Sequence, residues 1–233
     1  MAADKPTRPG TELHALLGLS PSAPQLAAFL SDLESSTSHP APPPPEVKPY
    51  SDIVYLNYRH IGLSLSFAPS AGYRPSPTSS LDDIRREGDA GRLKCTGVDL
   101  YNHDAAARPP PRDKGKAPRQ RAEDRWERFP AYPVLLPSPS SSASSSSPAN
   151  PAPFPLDPTT TGSSLLSHLG EPTRKGGGSS STPALGIWTE WTPLGVMVEW
   201  ASSGLGAWDK GGESTWRCVS VFEPGGGGAK GGA

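Results

Sequence analysis

Two stretches of the chain carry its clearest alternation of apolar and polar positions. In YLNYRHIGLSLSF (55–67), Leu63, Leu65 and Phe67 alternate with Ser64 and Ser66. In WTEWTPLGVMVEW (188–200), Val196, Val198 and Trp200 alternate with Met197 and Glu199. A period of two places each set on one face of a strand. The stretches align without a gap: Tyr55 with Trp188, Tyr58 with Trp191, Ile61 with Leu194, Gly62 with Gly195. Each reads as an aromatic-rich strand, a four-residue turn ending in Gly, and a second strand. In TPLG the proline suits the second turn position and the glycine a left-handed fourth, as in a hairpin closed by a type I turn and a bulge; RHIG makes the same turn without the proline. A third alternating strand with one cysteine follows each hairpin, LKCTGVDLY (93–101) and TWRCVSVFE (215–223).

Helical spacing precedes each hairpin. TELHALLG (11–18) sets Leu13, Leu16 and Leu17 at i, i+3, i+4, with Thr11 to cap and Gly18 to stop. SAPQLAAFLSDLE (22–34) runs Leu26, Phe29, Leu30 and Leu33 along one stripe behind Ser22. TTGSSLLSHLGEP (160–172) repeats the first pattern, with Thr161 or Ser163 to cap, Leu165, Leu166 and Leu169 apolar, and Gly170 and Pro172 to end it. The order helix, hairpin, strand thus occurs twice, over 11–101 and 160–223, which reads as an internal duplication.

Composition divides the chain further. With 30 prolines and 25 glycines, it holds about twice the usual combined share of roughly 12%, so apolar burial must be concentrated in segments. Five stretches read as mobile: 38–49, 70–91 (where SLDDIRRE can form a short helical turn), 105–125, 138–153 and 223–233. The expected organisation is a flexible terminus (1–10) and a first repeat (11–104) with disordered inserts at about 38–49 and 70–91. A basic and Ser-rich linker (105–159) with a docked segment near 126–137, a second repeat (160–223) and a Gly-rich tail (224–233) complete it. The fold class is α+β: two tandem helix plus antiparallel three-stranded-sheet repeats.

The unit carried by LLSHLGEP, IWTEWTPLGVMVEW and WRCVSVFEP, with LHALLGLSP, VYLNYRHIGLSLSF and VDLYN as a weaker copy, resembles the repeat of the SmpA/BamE-type outer-membrane assembly lipoproteins. Tandem copies are similar to the β-lactamase inhibitory proteins, and the two-copy layout resembles that of fungal-type soluble proteins. The resemblance covers about half the residues and implies an α+β sheet with an exposed face for a partner. The lipidated cysteine at the start of the lipoproteins has no counterpart here, so membrane anchoring is not expected to carry over, and no inhibitory residues carry over either.

Charge and motifs exclude more than they identify. A net charge of −1 gives no field for nucleic acid or an anionic membrane. MAADKPTRPG lacks the apolar core of a signal peptide, and no apolar run approaches the ~18 residues of a membrane span. Intracellular placement, in cytoplasm or nucleus, is expected. HLGEPTRKGGG (168–178) looks like a phosphate cradle, but its glycines follow a helix instead of leading into one, and no Lys-Ser/Thr pair is present; it reads as a solvated loop carrying Arg174 and Lys175. The basic run 108–128 is interrupted by acids and reads as a solvated insertion, so no nucleic-acid partner is expected. The histidines (14, 39, 60, 103 and 168) lack metal-ligand spacing, so no metal or other cofactor is expected. There is no G-x-S-x-G elbow. Cys95 and Cys218 lack an assignable base and read as inert thiols, bridged only if the two third strands are adjacent.

The aromatics carry the leading functional expectation. With the turns as assigned, Tyr58 and Trp191 are expected to point away from the core, together with Thr189 and Met197 and beside Glu199, as a protein-binding face. This describes a noncatalytic module that presents a sheet face to a protein partner, with Tyr58, Trp191, Met197 and Glu199 as contacts. The alternative is an enzyme or small-ligand protein with a pocket between the repeats, in which Asn102, His103, Asp104 and Glu190 converge.

Overall fold

The computed structural model describes residues 10–37, 41–103, 126–139, 152–178, 186–203 and 206–225. The mobility expected of 105–125, of 140–151 and of the tail beyond 225 concerns residues outside these. Helices and largely antiparallel sheets are both present, so the fold is α+β. The chain forms two compact units: an amino-terminal one, Leu16–Pro130 with Arg217–Phe222, and a carboxy-terminal one, Ala131–Trp216 with Met1–Ala15 and Glu223–Ala233.

In the carboxy-terminal unit, strand β1 (Thr11–Glu12) pairs in parallel with β6 (Val134–Leu136), and β6 pairs antiparallel with β7 (Phe154–Leu156). The helix expected over 11–18 is therefore absent: β1 is followed by a single 3-10 turn, His14–Leu16. One turn of leucines is too short to sustain a helix, and the amide of Thr11 is taken by the Pro133 carbonyl at 2.9 Å. The helix expected at 160–172 forms as α3 (Gly162–Leu169), with Thr161 accepting at its N-terminus from the Ser164 amide and Gly170 (φ +75°) at its end. Strands β8 (Arg174–Gly176), β9 (Gly186–Trp191) and β10 (Val196–Ser203) then pair antiparallel in that order.

In the amino-terminal unit, α1 (Pro24–Ser35) covers the 22–34 expectation and buries Leu26 and Leu33. Strands β2 (Glu46–Pro49), β3 (Val54–Tyr58), β4 (Leu63–Pro69), β5 (Leu93–Tyr101) and β11 (Trp216–Phe222, from Arg217 onward) lie side by side, every neighbour antiparallel. Two inserts expected to be disordered carry ordered elements. β2 lies within 38–49, and α2 (Leu81–Asp89) lies within 70–91, where the side chain of Ser80 accepts from the Asp83 amide and the side chain of Asp83 accepts from the Ser80 amide. That reciprocal cap satisfies two orphan donors and starts a helix in an otherwise helix-poor stretch. The boundaries 11–104 and 160–223 are also revised: β11 joins the amino-terminal unit because its alternating Val219 and Val221 meet Leu100 and Val98 of β5.

Both hairpins close in the same way. A three-residue 3-10 turn, Arg59–Ile61 in one and Thr192–Leu194 in the other, ends at a left-handed glycine, Gly62 (φ +58°, ψ +35°) or Gly195 (φ +62°, ψ +40°). Tyr58 then pairs directly with Leu63, and Trp191 with Val196. Directly opposed residues share a sheet face, so Val54, Leu56 and Tyr58 lie with Phe67, Leu65 and Leu63, all buried. This is the inner face; α1 buries Leu26 and Leu33, α2 buries Ile84, and α2 packs on β5.

A short irregular stretch closes the turn end of the amino-terminal sheet. Glu127 donates its amide to the Arg59 carbonyl at 2.9 Å, and Phe129 donates to the Tyr101 carbonyl at 3.0 Å. A Cβ on Gly62 would collide with the Glu127 carbonyl oxygen and stand 2.7 Å from the Phe129 nitrogen. Gly18, by contrast, is left-handed (φ +79°) with nothing within 4 Å of its missing Cβ. Gly18→Ala is therefore expected to cost roughly 1–2 kcal/mol, and Gly62→Ala roughly 2–5 kcal/mol, because the second adds a clash to the strain. Urea unfolding of both variants measures the difference; equal losses would show that the 127–129 stretch does not press on Gly62.

Asp83 supplies a pH prediction. The Ser80 amide, the Ser80 hydroxyl and Arg86 hold its carboxyl at about 2, below the ordinary 3.8. A depressed carboxylate supports the fold above its ordinary pKa and loses that support as pH falls through the depressed one. The backbone NMR shifts of α2 are expected to move toward coil values between about pH 4 and 2, and Asp83→Asn to abolish that acid step.

Candidate functional site

The turn geometry that sets the hairpin register also decides which side chains are available to a partner. Tyr58 and Trp191 are not: they are 6% and 2% exposed. The expectation that they face outward fails because a four-residue loop leaves its flanking residues directly opposed, and opposed residues share a face. Trp191 therefore lies with Val196, and Thr189 with Val198, on the inner face. The Trp191 indole donates to the Gly170 carbonyl at 3.0 Å and the Trp200 indole to the Thr189 hydroxyl at 3.1 Å, so both polar edges are satisfied inside the core. Burial pushes the Tyr58 hydroxyl up to about 12.

Met197 and Glu199 do lie on the outward face of the carboxy-terminal unit, half-buried. Met197 is opposite Glu190, which is opposite Arg174; Glu199 is opposite Trp188, which is opposite Gly176. Trp188 is half-buried, its indole lying against Gly176, where a Cβ would come within 2.6 Å, and the Arg174 guanidinium stands 5.8 Å from its ring centroid. The 168–178 stretch is thus not only a loop. Arg174 and Lys175 begin an edge strand, and Arg174 reaches Glu190 at 3.3 Å and 3.4 Å. Glu190 is 2% exposed and also accepts from the Thr192 hydroxyl at 2.6 Å.

The alternative expectation is a pocket lined by Asn102, His103, Asp104 and Glu190. Asn102 and His103 belong to the amino-terminal unit and Glu190 to the carboxy-terminal one, and Asp104 lies outside the described residues. Asn102 continues β5 by donating its amide to the Arg217 carbonyl, and the His103 ring lies 6.5 Å from that of Tyr101. His14 is bonded to the Leu194 carbonyl at 3.0 Å, with burial pulling its pKa down against that bond. Among the described residues, no group of three or more His, Cys, Asp or Glu could hold a metal ion, and no helix is long and apolar enough to cross a membrane.

The amino-terminal sheet carries a feature that sequence reasoning missed. On its outward face Glu46, Asn57, Ser64, Asp99 and Ser220 are opposed in sequence across five strands. Ser64 donates to Asn57 at 2.8 Å, Asn57 to Glu46 at 3.3 Å and Ser220 to Asp99 at 2.6 Å, while Arg59 clasps Glu46 from the side at 2.9 Å and 2.5 Å. Burial pulls the Glu46 carboxyl upward, but the bonds from Arg59 and Asn57 and the charges of Arg59 and Lys48 hold it below its ordinary value. The alternation of serines in β4 was visible in the sequence, whereas the register that aligns them with Asn57 and Asp99 was not.

Both cysteines are buried and neither forms a disulfide. The third strands do lie adjacent, yet Cys218 is opposite Tyr101. Six residues separate Tyr101 from Cys95, about 20 Å along a strand, which is too far for a bridge. No family model matches the chain, and neither a curated protein nor a solved structure does.

Burial raises the Cys95 thiol to about 12, with the charge of Asp99 adding to the effect against a bond from the thiol to the Gly97 carbonyl. A thiol so protonated is a poor nucleophile. In a Cys218→Ser background, Cys95 is expected to resist iodoacetamide at pH 8 while the protein is folded and to react once it is denatured. Mass spectrometry reads the adduct, and rapid labelling of the folded protein would contradict this reading of the site.

Proposed function

We propose that this chain is a noncatalytic binding module that presents the outward face of β8, β9 and β10 to a protein partner, with Arg174, Trp188, Met197 and Glu199 as its contacts. One observation carries the reading: Trp188, Met197 and Glu199 stay half-buried, adjacent in register and on the face away from the core. Trp and Arg dominate interface energetics, and a Met beside them supplies adaptable apolar surface. The reading keeps the sheet-face function expected from sequence but replaces Tyr58 and Trp191 by Trp188 and Arg174.

In the same proposal the module is built from two copies of a helix–hairpin–strand unit related to the SmpA/BamE-type repeat. Support comes from the turns, which share a 3-10 segment and a left-handed glycine, and from the edges. Glu46 stands opposite Asn57 on one hairpin, and Arg174 opposite Glu190 on the other. Asn57 and Glu190 occupy equivalent positions in the ungapped alignment of the two hairpins.

The test is quantitative cross-linking mass spectrometry from native lysate, comparing the intact protein with a Met197→Asp/Glu199→Lys variant of unchanged far-UV spectrum and Tm. Loss of a central contact typically costs about 1–3 kcal/mol, so recovery of a specific partner is expected to fall by roughly 5- to 150-fold. A partner set recovered equally by both proteins would remove the proposed face.

A further inference from the structure

The stretch 126–129 is seated on the amino-terminal unit much as a short peptide is seated on a receptor. It has no regular secondary structure, and it alternates two buried aromatic anchors, Trp126 and Phe129, with two exposed residues, Glu127 and Arg128. The Trp126 indole stacks on the Tyr101 ring at 3.9 Å with an interplanar angle of 10°, and the Arg59 guanidinium stands 4.8 Å from its centroid. Phe129 is 1% exposed. Two main-chain bonds fix the register: the Glu127 amide to the Arg59 carbonyl, and the Phe129 amide to the Tyr101 carbonyl. Gly62 completes the seat, since any Cβ there would collide with the Glu127 carbonyl and the Phe129 amide.

We infer that this seat, formed by Arg59, Gly62 and Tyr101, is a docking site for an extended Trp-x-x-Phe segment of a partner protein, held closed in this chain by its own residues 126–129. The chemistry of the occupant is read from the cis segment. The indole stacks on a phenol ring and lies within reach of a guanidinium, a position that draws on both stacking and cation–π attraction. Two main-chain donors must be free at the second and fourth positions, which bars proline from both. The two middle side chains are exposed. A cis segment that fills such a site raises the concentration a partner needs to enter it, so the site responds to whatever weakens residues 126–129. This inference concerns a different surface from β8, β9 and β10 and stands independently of the proposed function.

The probe is a fluorescein-labelled peptide with the sequence of residues 124–131, Asp-Arg-Trp-Glu-Arg-Phe-Pro-Ala, followed by anisotropy. The Trp126→Ala/Phe129→Ala variant is expected to bind it at least about tenfold more tightly than the intact protein, and a peptide with its Trp replaced by Ala at least about tenfold more weakly, the usual range for an aromatic anchor. A folded variant that binds neither peptide overturns the inference, as does one that binds both peptides equally. Should the variant not fold, the intact protein with 5-fluorotryptophan in place of its tryptophans answers instead. As unlabelled peptide is added, the fluorine resonance assigned to Trp126 is expected to move to its solvent position, and a resonance unmoved at millimolar peptide overturns the inference.

Discussion

The left-handed glycine that ends each hairpin turn is the constraint on which the rest of the structure depends. An L-residue in that conformation costs roughly 1–2 kcal/mol, whereas glycine enters it without steric penalty. With Gly62 and Gly195 in place, the residues on either side of each four-residue loop become direct partners, and the period of two carries the choice along both strands. Tyr58 goes to the core because Leu63 does, and Trp191 because Val196 does. Everything outward then follows by alternation, including the half-buried Trp188–Met197–Glu199 group and the polar row from Glu46 to Ser220.

Elements whose signals are local were legible in the sequence. The two hairpins, the third strands, α1 and α3 all rest on short-range periodicity, caps and turn residues, and the glycines at 62, 170 and 195 lie where the pattern placed them. What escaped depends on partners distant in the chain. Thr11 and Glu12 look like a helix start, yet they pair with Val134 and Leu135. β2 and β8 are three or four residues of mixed polarity with no periodicity of their own, and each is defined by the hairpin beside it. α2 was legible in part: SLDDIRRE was expected to form a short helical turn inside a mobile stretch, and the Ser80–Asp83 capping box lengthens that turn into a helix over Leu81–Asp89. As for the site, alternation identified Met197 and Glu199, while Tyr58 and Trp191 were misassigned by treating opposed residues as facing apart.

The outward face of the amino-terminal sheet shows why buried polarity need not destabilise a sheet. Ser64 and Asn57 are 2% and 6% exposed, and a buried hydroxyl or amide without a partner costs about 1–3 kcal/mol. Here the strand register delivers the partners: each residue of the row stands opposite the next, so one side chain satisfies its neighbour without any rearrangement. Tyr55 lies on the same face, where burial and then the charges of Asp99, Tyr50 and Asp52 raise its pKa. A row of this kind is specific to register, because a slip of one residue would set leucines against Asn57 and Asp99.

The two edge ion pairs occupy corresponding places but differ in consequence. Arg59 and Glu46 are both partly exposed, with 19% and 40% of their side chains open to solvent, and a pair of that kind contributes about 0–1 kcal/mol. Arg174 is 56% exposed, but its partner Glu190 is 2% exposed. Removing Arg174 would strip a buried carboxylate of its counter-charge and leave it, among the described residues, only the Thr192 hydroxyl as a side-chain donor, a situation that typically costs about 3–5 kcal/mol. Arg174 is therefore tied down by the group beneath it, while its outer atoms remain at the surface beside Trp188. A cation held in place before any partner arrives loses less conformational freedom on binding than a freely rotating one. The same buried carboxylate that makes Arg174 necessary to the fold thus makes it suited to an interface.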